Sequence, residues 1–220
     1  MRALKNHIAI DLTLSIEQGQ RGVAIDTART LEEDGWNATT LHLYSHSGTH
    51  MDAPLHFGVT NQTIDQYPLS KLMGKAWVAR IGGDCTSRWI GINDIGTIAE
   101  KLEAGDSLLV QTGWSHKVSE DIYRDALPRI SDELANWCVE RGVKILGVEP
   151  PSIANVNDLE ELTRIHRILL GGDIVIVEGL CNLEQIQGES VFFMALPLKI
   201  KGGDGAPVRA VAFEEQDQSS

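Results

Sequence analysis

The chain has 220 residues, 42% of them hydrophobic and 23% charged, which suffices for one domain with a sizeable buried core. A net charge of −12 argues against nucleic acid or an anionic membrane as partner and favours metal cations around the molecule. No apolar run reaches the length needed to cross a bilayer.

Residues 1–7 lack the apolar core of a signal peptide. Strands are expected where β-branched and aliphatic residues concentrate: Ile8–Leu14, Thr39–Ser45, Ala76–Ile81, Ser107–Gln111, Lys144–Val148, Ile174–Val177, Val191–Ile200 and Val208–Phe213. Asn93–Ala104 reads as a helix stopped by Gly105. Asp132–Arg141 reads as a second, preceded by Ser131 and closed by Gly142. Asp158–Leu170 reads as a third, capped by Asn157 and stopped at Gly171 and Gly172. The mixture lacks strict βαβ alternation. It predicts an α/β fold in which a mixed central sheet curls toward a barrel with helices outside. With no repeat or linker, residues 1–213 form one expected domain, and 214–220 a frayed polar tail.

Cys85, Cys138 and Cys181 are far apart and form no C-x-x-C pattern, so a reducing cytoplasm is expected. Gly82-Gly-Asp84, Gly171-Gly-Asp173 and Gly202-Gly-Asp-Gly205 read as turns. None is a G-x-G-x-x-G or P-loop, so no nucleotide cofactor is expected. Ser47 lacks the G-x-S-x-G elbow of a serine hydrolase.

The densest chemistry is His46-Ser-Gly-Thr-His50-Met-Asp52-Ala-Pro-Leu-His56. Three of the seven histidines and one aspartate share eleven residues. Imidazole and carboxylate are common ligands of Zn, Mn and Fe. If Thr49 to Asp52 is extended, His50 and Asp52 share a face, and Gly48 lets the chain turn so that His46 joins them. On the third helix His166 lies four residues after Leu162, close to the apolar stripe. Alone it reads as a hydrogen-bonded core histidine. Glu178 ends an apolar strand, where burial of a carboxylate demands a metal or an arginine as partner. Trp114, after Val110-Gln-Thr-Gly, has two open readings: a pocket wall that touches substrate, or an ordinary packed tryptophan.

The His46–Phe57 run resembles the H-x-G-T-H-x-D-x-P-x-H-F signature of the metal-dependent cyclase family, which includes bacterial kynurenine formamidases and isatin hydrolases. The run from His166 to Leu183 is similar to the family's H-x2-L-L … E-G-L-x-N-L block, and Val110–Trp114 to its R-T-G-W strand end. The resemblance implies a swivelling β/β/α-like fold and a homodimer or higher homo-oligomer. It also implies one or two Zn or Mn ions held by His46, His50, Asp52, His166 and Glu178, with Asp52 bridging where there are two. His56 becomes the acid/base that serves a metal-activated water. The implied activity is hydrolysis of a C–N bond in a small amide, formamide or lactam. The alternatives are cyclisation, dehydration or lactone hydrolysis at the same metal, or a metal-binding protein without turnover. Two segments depart from the family. Residues 18–27 lack the proline and tryptophan that usually wall the pocket, and Glu149 stands where G-x-D-x-x-S has aspartate.

Overall fold

The structure, a computed structural model, describes residues 7–215. In chain order the strands are β1 (His7–Asp11), β2 (Val23–Arg29), β3 (Ala38–Leu43), β4 (His50–Asp52), β5 (Met73–Arg80) and β6 (Trp89–Ile90). They continue with β7 (Ser107–Gln111), β8 (Arg129–Ile130), β9 (Ile145–Val148), β10 (Val175–Glu178), β11 (Ser190–Pro197) and β12 (Gly205–Glu215). The α-helices are α1 (Leu31–Asp34), α2 (Ile98–Lys101), α3 (Ile122–Asp125), α4 (Asp132–Arg141) and α5 (Leu159–Gly171).

Seven strands close a barrel-like ring in the order β12-β11-β5-β7-β9-β10-β4, with β4 returning to β12. β5, β7, β9 and β10 run parallel, while the remaining ring pairings are antiparallel. β12 is long enough to hold β4 through Gly205–Pro207 and β1 through Val211–Glu215. The expected mixed, curled sheet is therefore what forms.

The apolar runs are buried on both faces, and the two-residue period of a strand sorts their side chains into two cores. Leu109, Ile145, Val175 and Val177 fill the ring with Met51, Phe193 and Ala210. Leu108, Val110, Leu146, Val148 and Ile176 face outward against Leu134 and Cys138 of α4 and Ile165 and Leu169 of α5. Ser131 caps α4 by accepting from the Leu134 N–H, and Gly142 closes it in the left-handed region, as the sequence signals require.

Several boundaries differ from expectation. Asn93–Ala104 is not one helix. A 3-10 turn at Ile92–Ile95 is followed by the single turn of α2, because Gly96 adopts φ 55° and ψ −134°, incompatible with a continuous helix. The cap of α5 is Asp158, not Asn157: its carboxylate accepts from the N–H groups of Glu160 and Glu161. β11 stops at Pro197 rather than Ile200. Glu214 and Glu215, assigned to the tail, continue β12 opposite Ile8 and His7, and the Glu214 carboxylate accepts from the backbone of Gln187 and Gly188. Residues 216–220 and 1–6 lie outside the described residues. β2 was not expected. It pairs with β3 in a hairpin whose residues are mostly exposed on both faces, so no apolar period marks it.

Candidate metal centre

β4 is only three residues long and is wedged between two strands. On one side His50 pairs with Glu178 and Asp52 with Ile176; on the other Asp52 pairs with Gly205. Alternation sends Met51 into the ring and turns His50 and Asp52 outward. Val177 points inward, so Glu178 joins them on the outer face. α5 lies over that face and brings His166, four residues on from Leu162. His46 returns to the group because Gly48 takes φ +60°. Gly179, at φ +69°, lets the chain leave Glu178 against the loop: a Cβ there would stand 2.5 Å from the Gly48 carbonyl oxygen. The Thr49 hydroxyl donates to the Gly179 carbonyl at 2.5 Å and accepts from the Leu14 N–H at 2.8 Å, tying the two ligand segments together.

All five residues expected to bind metal meet at this point. His46 Nδ1 donates to Asp52 Oδ1 at 2.8 Å. His50 Nε2 lies 3.1 Å from Glu178 Oε2 and 3.8 Å from Asp52 Oδ1. His166 Nε2 lies 3.5 Å from Asp52 Oδ2 and 3.4 Å from Glu178 Oε1. The second ring nitrogens of His50 and His166 are committed: Nδ1 donates to the carbonyls of Gly48 and Leu162, at 2.9 and 2.7 Å. Such backbone acceptors orient imidazoles that ligate metals through the other nitrogen. Glu178 is steadied by the Ile153 N–H, which donates to Oε1 at 2.8 Å.

The donor set fits a divalent cation. Asp52 is 1% exposed, yet its Oδ2 has no hydrogen-bond partner, an expensive condition for a buried carboxylate. Two groups of donors have ligand atoms within 4.8 Å of one another, His50–Asp52–Glu178 and His46–Asp52–His56, with Asp52 common to both.

The two carboxylates favour the charged forms of the imidazoles. Burial opposes charge on His46, but Asp52 and Asp204 outweigh it and raise its pKa to about 9. Burial likewise opposes charge on His50 and His166, and contacts to Glu178 and Asp52 override it in both. Glu178, despite its burial, is held well below the carboxylate range by His166 and His50. A metal must therefore displace protons from the imidazoles. Apparent affinity should rise with pH, by about tenfold per unit for each proton displaced, until the medium passes the raised values. Competition against a chelator between pH 6 and 9 measures this, and a flat profile would show that the imidazoles are not displaced.

His56 stands at the edge of the cluster, 24% exposed at its side chain, with its ring stacked on His46 at 3.8 Å between centroids. Burial lowers its pKa, so it is neutral at pH 7. Its Nδ1 lies 3.5 Å from Asp204 Oδ2, which also contacts His46 Nε2 at 3.2 Å. Asp204 is a site residue that sequence reasoning missed, because Gly-Gly-Asp-Gly carries only a turn signal. Its neighbour Gly205 offered a second hint visible only in three dimensions: a Cβ there would lie 2.6 Å from His46 Cε1.

Trp114 is not at the cavity wall. It is 1% exposed in the outer core, with its indole N–H donating to the Tyr123 carbonyl at 2.8 Å. Glu149, the departure from the family pattern, holds that corner together. It accepts from the Thr112 and Trp114 N–H groups and from the hydroxyls of Thr112 and Ser115. A cavity of about 350 Å³ opens above the histidines, lined by His46, His50, His56, His166 and Glu178 together with Phe57, Pro151, Leu162 and two arginines.

A family model described as "Putative cyclase" matches residues 10–155. The chain belongs to the cyclase family. The cyclase match takes in His46, His50, Asp52 and His56, while His166 and Glu178 lie beyond it. The kynurenine formamidase of Salinibacter ruber is 33% identical over 190 residues, covering 86% of this chain and 85% of that protein. Isatin hydrolase A from Labrenzia aggregata shares the cyclase fold with a TM-score of 0.83 at 22% identity, over 96% of this chain and 95% of that one. A structure described as a potential metal-dependent hydrolase with cyclase activity aligns with a TM-score of 0.78 at 23% identity, over 96% and 100%.

Proposed function

We propose that this chain is a metal-dependent hydrolase that cleaves the C–N bond of a small amide, formamide or lactam, with His56 as its acid/base. The observation that carries the reading is buried Asp52, whose Oδ2 is unpartnered and whose two oxygens lie among His46, His50 and His166, with Glu178 and an accessible neutral histidine beside them. The kinship to a kynurenine formamidase supports the reaction class.

His46, His50, Asp52, His166 and Glu178 would hold one or two ions, Zn or Mn, since nitrogen and oxygen donors suit both. When bound, such an ion would supply a water acidified toward roughly neutral pH and a Lewis acid for the scissile carbonyl. The chain's own residues do the rest. His56, neutral at pH 7, takes a proton from the attacking water and returns one to the leaving nitrogen. Its Nδ1 is turned to Asp204, which leaves Nε2 for that exchange and steadies the imidazolium that forms. Phe57 stacks on His166 at 4.2 Å and with Leu162 gives the cavity an apolar side that limits water.

The test is turnover of formanilide, isatin and an aryl lactone by protein loaded with Zn or Mn, before and after chelation. Hydrolysis of the amide or lactam that stops with chelator and returns with metal is expected. Activity on the lactone alone, or turnover indifferent to chelator, would overturn the reading.

We assign the protein to a reducing cytoplasm, in keeping with three cysteines that are free and buried. No helix among the described residues is long and apolar enough to cross a membrane. We also assign it to a homodimer. The β2–β3 hairpin projects Leu31, Trp36, Leu41 and Tyr44, each more than half exposed, and an isolated two-stranded hairpin is marginal in water. A monomer in sedimentation at micromolar concentration would set that assignment aside.

A further inference from the structure

We propose that Arg21 and Arg124 form an anion-binding subsite above the metal centre, selecting substrates that carry a carboxylate near the scissile C–N bond. The proposal rests on the hydrolase reading and narrows its substrate class.

Both arginines line the cavity of about 350 Å³ that contains the histidine cluster. Both also line the neighbouring cavity of about 620 Å³, which shares His46 and His50 with the first. They therefore stand where the two spaces meet, within the size range of small-molecule sites.

Arg21 is exposed and Arg124 partly so, but the backbone that carries each is fixed. The Ser47 hydroxyl lies 3.4 Å from the Arg21 carbonyl and 3.3 Å from that of Gly22, which fastens the Arg21 backbone to the residue after His46. A side chain at Gly22 would collide with Tyr44 Cβ at 2.6 Å, so this approach is close. Arg124 sits on α3, and α3 is pinned by Tyr123. The phenol of Tyr123 donates to the Glu149 carbonyl at 3.0 Å, and its own carbonyl accepts the Trp114 indole N–H at 2.8 Å. Trp114 and Glu149, remote from the metal, thus build the ledge that carries Arg124.

Charge gives the ligand's sign. The one carboxylate lining the smaller cavity is Glu178, and it is engaged by His50, His166 and the Ile153 N–H. A divalent ion balances the two charges of Asp52 and Glu178. Asp204 is taken up by His46 and His56, and Glu120, Asp121 and Asp125 line only the larger cavity, so on the side of the smaller cavity the two guanidinium groups face no free carboxylate. Arg124 has one ion pair, to exposed Asp125 at 3.6 Å, and donates to Asn157 Oδ1 at 3.4 Å, while Arg21 has no ion pair among the described residues. A carboxylate matches the planar fork of guanidinium. Phe57, Val156 and Leu162 provide the apolar side against which the rest of the molecule can lie.

The probes are 2-formamidobenzoate and formanilide, which share the scissile bond and differ by one carboxylate. Binding to the zinc-loaded protein is measured by calorimetry, and kcat and KM are measured in parallel, for the natural chain, Arg21→Gln, Arg124→Gln and the double variant. The carboxylate compound should bind the natural chain at least about tenfold more tightly. Each substitution should raise its KM by about tenfold to a hundredfold, with a smaller effect on kcat and a smaller loss on formanilide. The proposal is overturned if the natural chain shows no preference. It is overturned equally if the preference survives in the double variant, since the carboxylate would then sit on the metal. Absence of turnover on both compounds would defeat the hydrolase reading alone, because the binding comparison still decides the subsite.

Discussion

Asp52→Ala should lose its metal and, with it, about three orders of magnitude or more in turnover. The Lewis-acid contribution of a bound ion is several kcal/mol, and each ~1.4 kcal/mol is a factor of ten. Asp52 is the residue to remove because both donor groups contain it, and its two oxygens reach His46, His50 and His166. Folding should survive the change. The lost carboxylate carries a buried oxygen with no partner, so its removal relieves one desolvation cost while it leaves His46 Nδ1 without its acceptor. Asp52→Asn keeps the volume and removes the charge, and it should behave like the alanine variant in metal content. Elemental analysis of protein purified without chelator reads the outcome. Full metal occupancy in both variants would refute Asp52 as a ligand. His166→Ala run beside them counts ions: a loss of about half indicates two, and no change indicates one.

His56→Ala should retain its metal and lose about a hundred- to ten-thousand-fold in kcat, the usual contribution of a positioned acid/base. The distinction matters because His56 also falls within ligand distance of His46 and Asp52. Its greater exposure, its lowered pKa and its contact to Asp204 describe a group that exchanges protons with water rather than one locked in a closed shell. In the natural enzyme the neutral form of His56 is the competent base, so kcat/KM should fall as pH drops through its pKa, and the alanine variant should lose that limb. Metal lost together with turnover would make His56 a ligand instead. Normal turnover would remove it from the mechanism.

The His46–His56 run was legible because ligand chemistry is local there. Its spacing, a strand-like stretch and one glycine brought three donors together with no help from distant sequence. The apolar runs of β7, β9 and β10 were legible for a similar reason: burial on both faces leaves no room for polar alternation. Capping chemistry fixed α4 to the residue. His166 and Glu178 were ambiguous by themselves. A histidine on an apolar stripe and a carboxylate at a strand end each have ordinary structural explanations, and only their joint resemblance to a family block raised them.

Tertiary structure decided the rest. Asp204 reaches the site because β12 pairs with β4, a closure between residues more than 150 apart that no local pattern encodes. Arg21 and Arg124 line the cavities beside the histidines on backbone held by a serine bond and a tyrosine anchor, and neither has a sequence signal. The β2–β3 hairpin escaped notice because its faces are solvated, and Trp114 turned from the cavity because its indole found a carbonyl in the core. By itself the sequence determined the donor types, their order and the strands that bury them, since these follow from side-chain chemistry and short-range periodicity. Which carboxylate faces which imidazole, and which cations overlook them, depended on long-range pairing, where the decisive contacts are between residues that the chain order keeps apart.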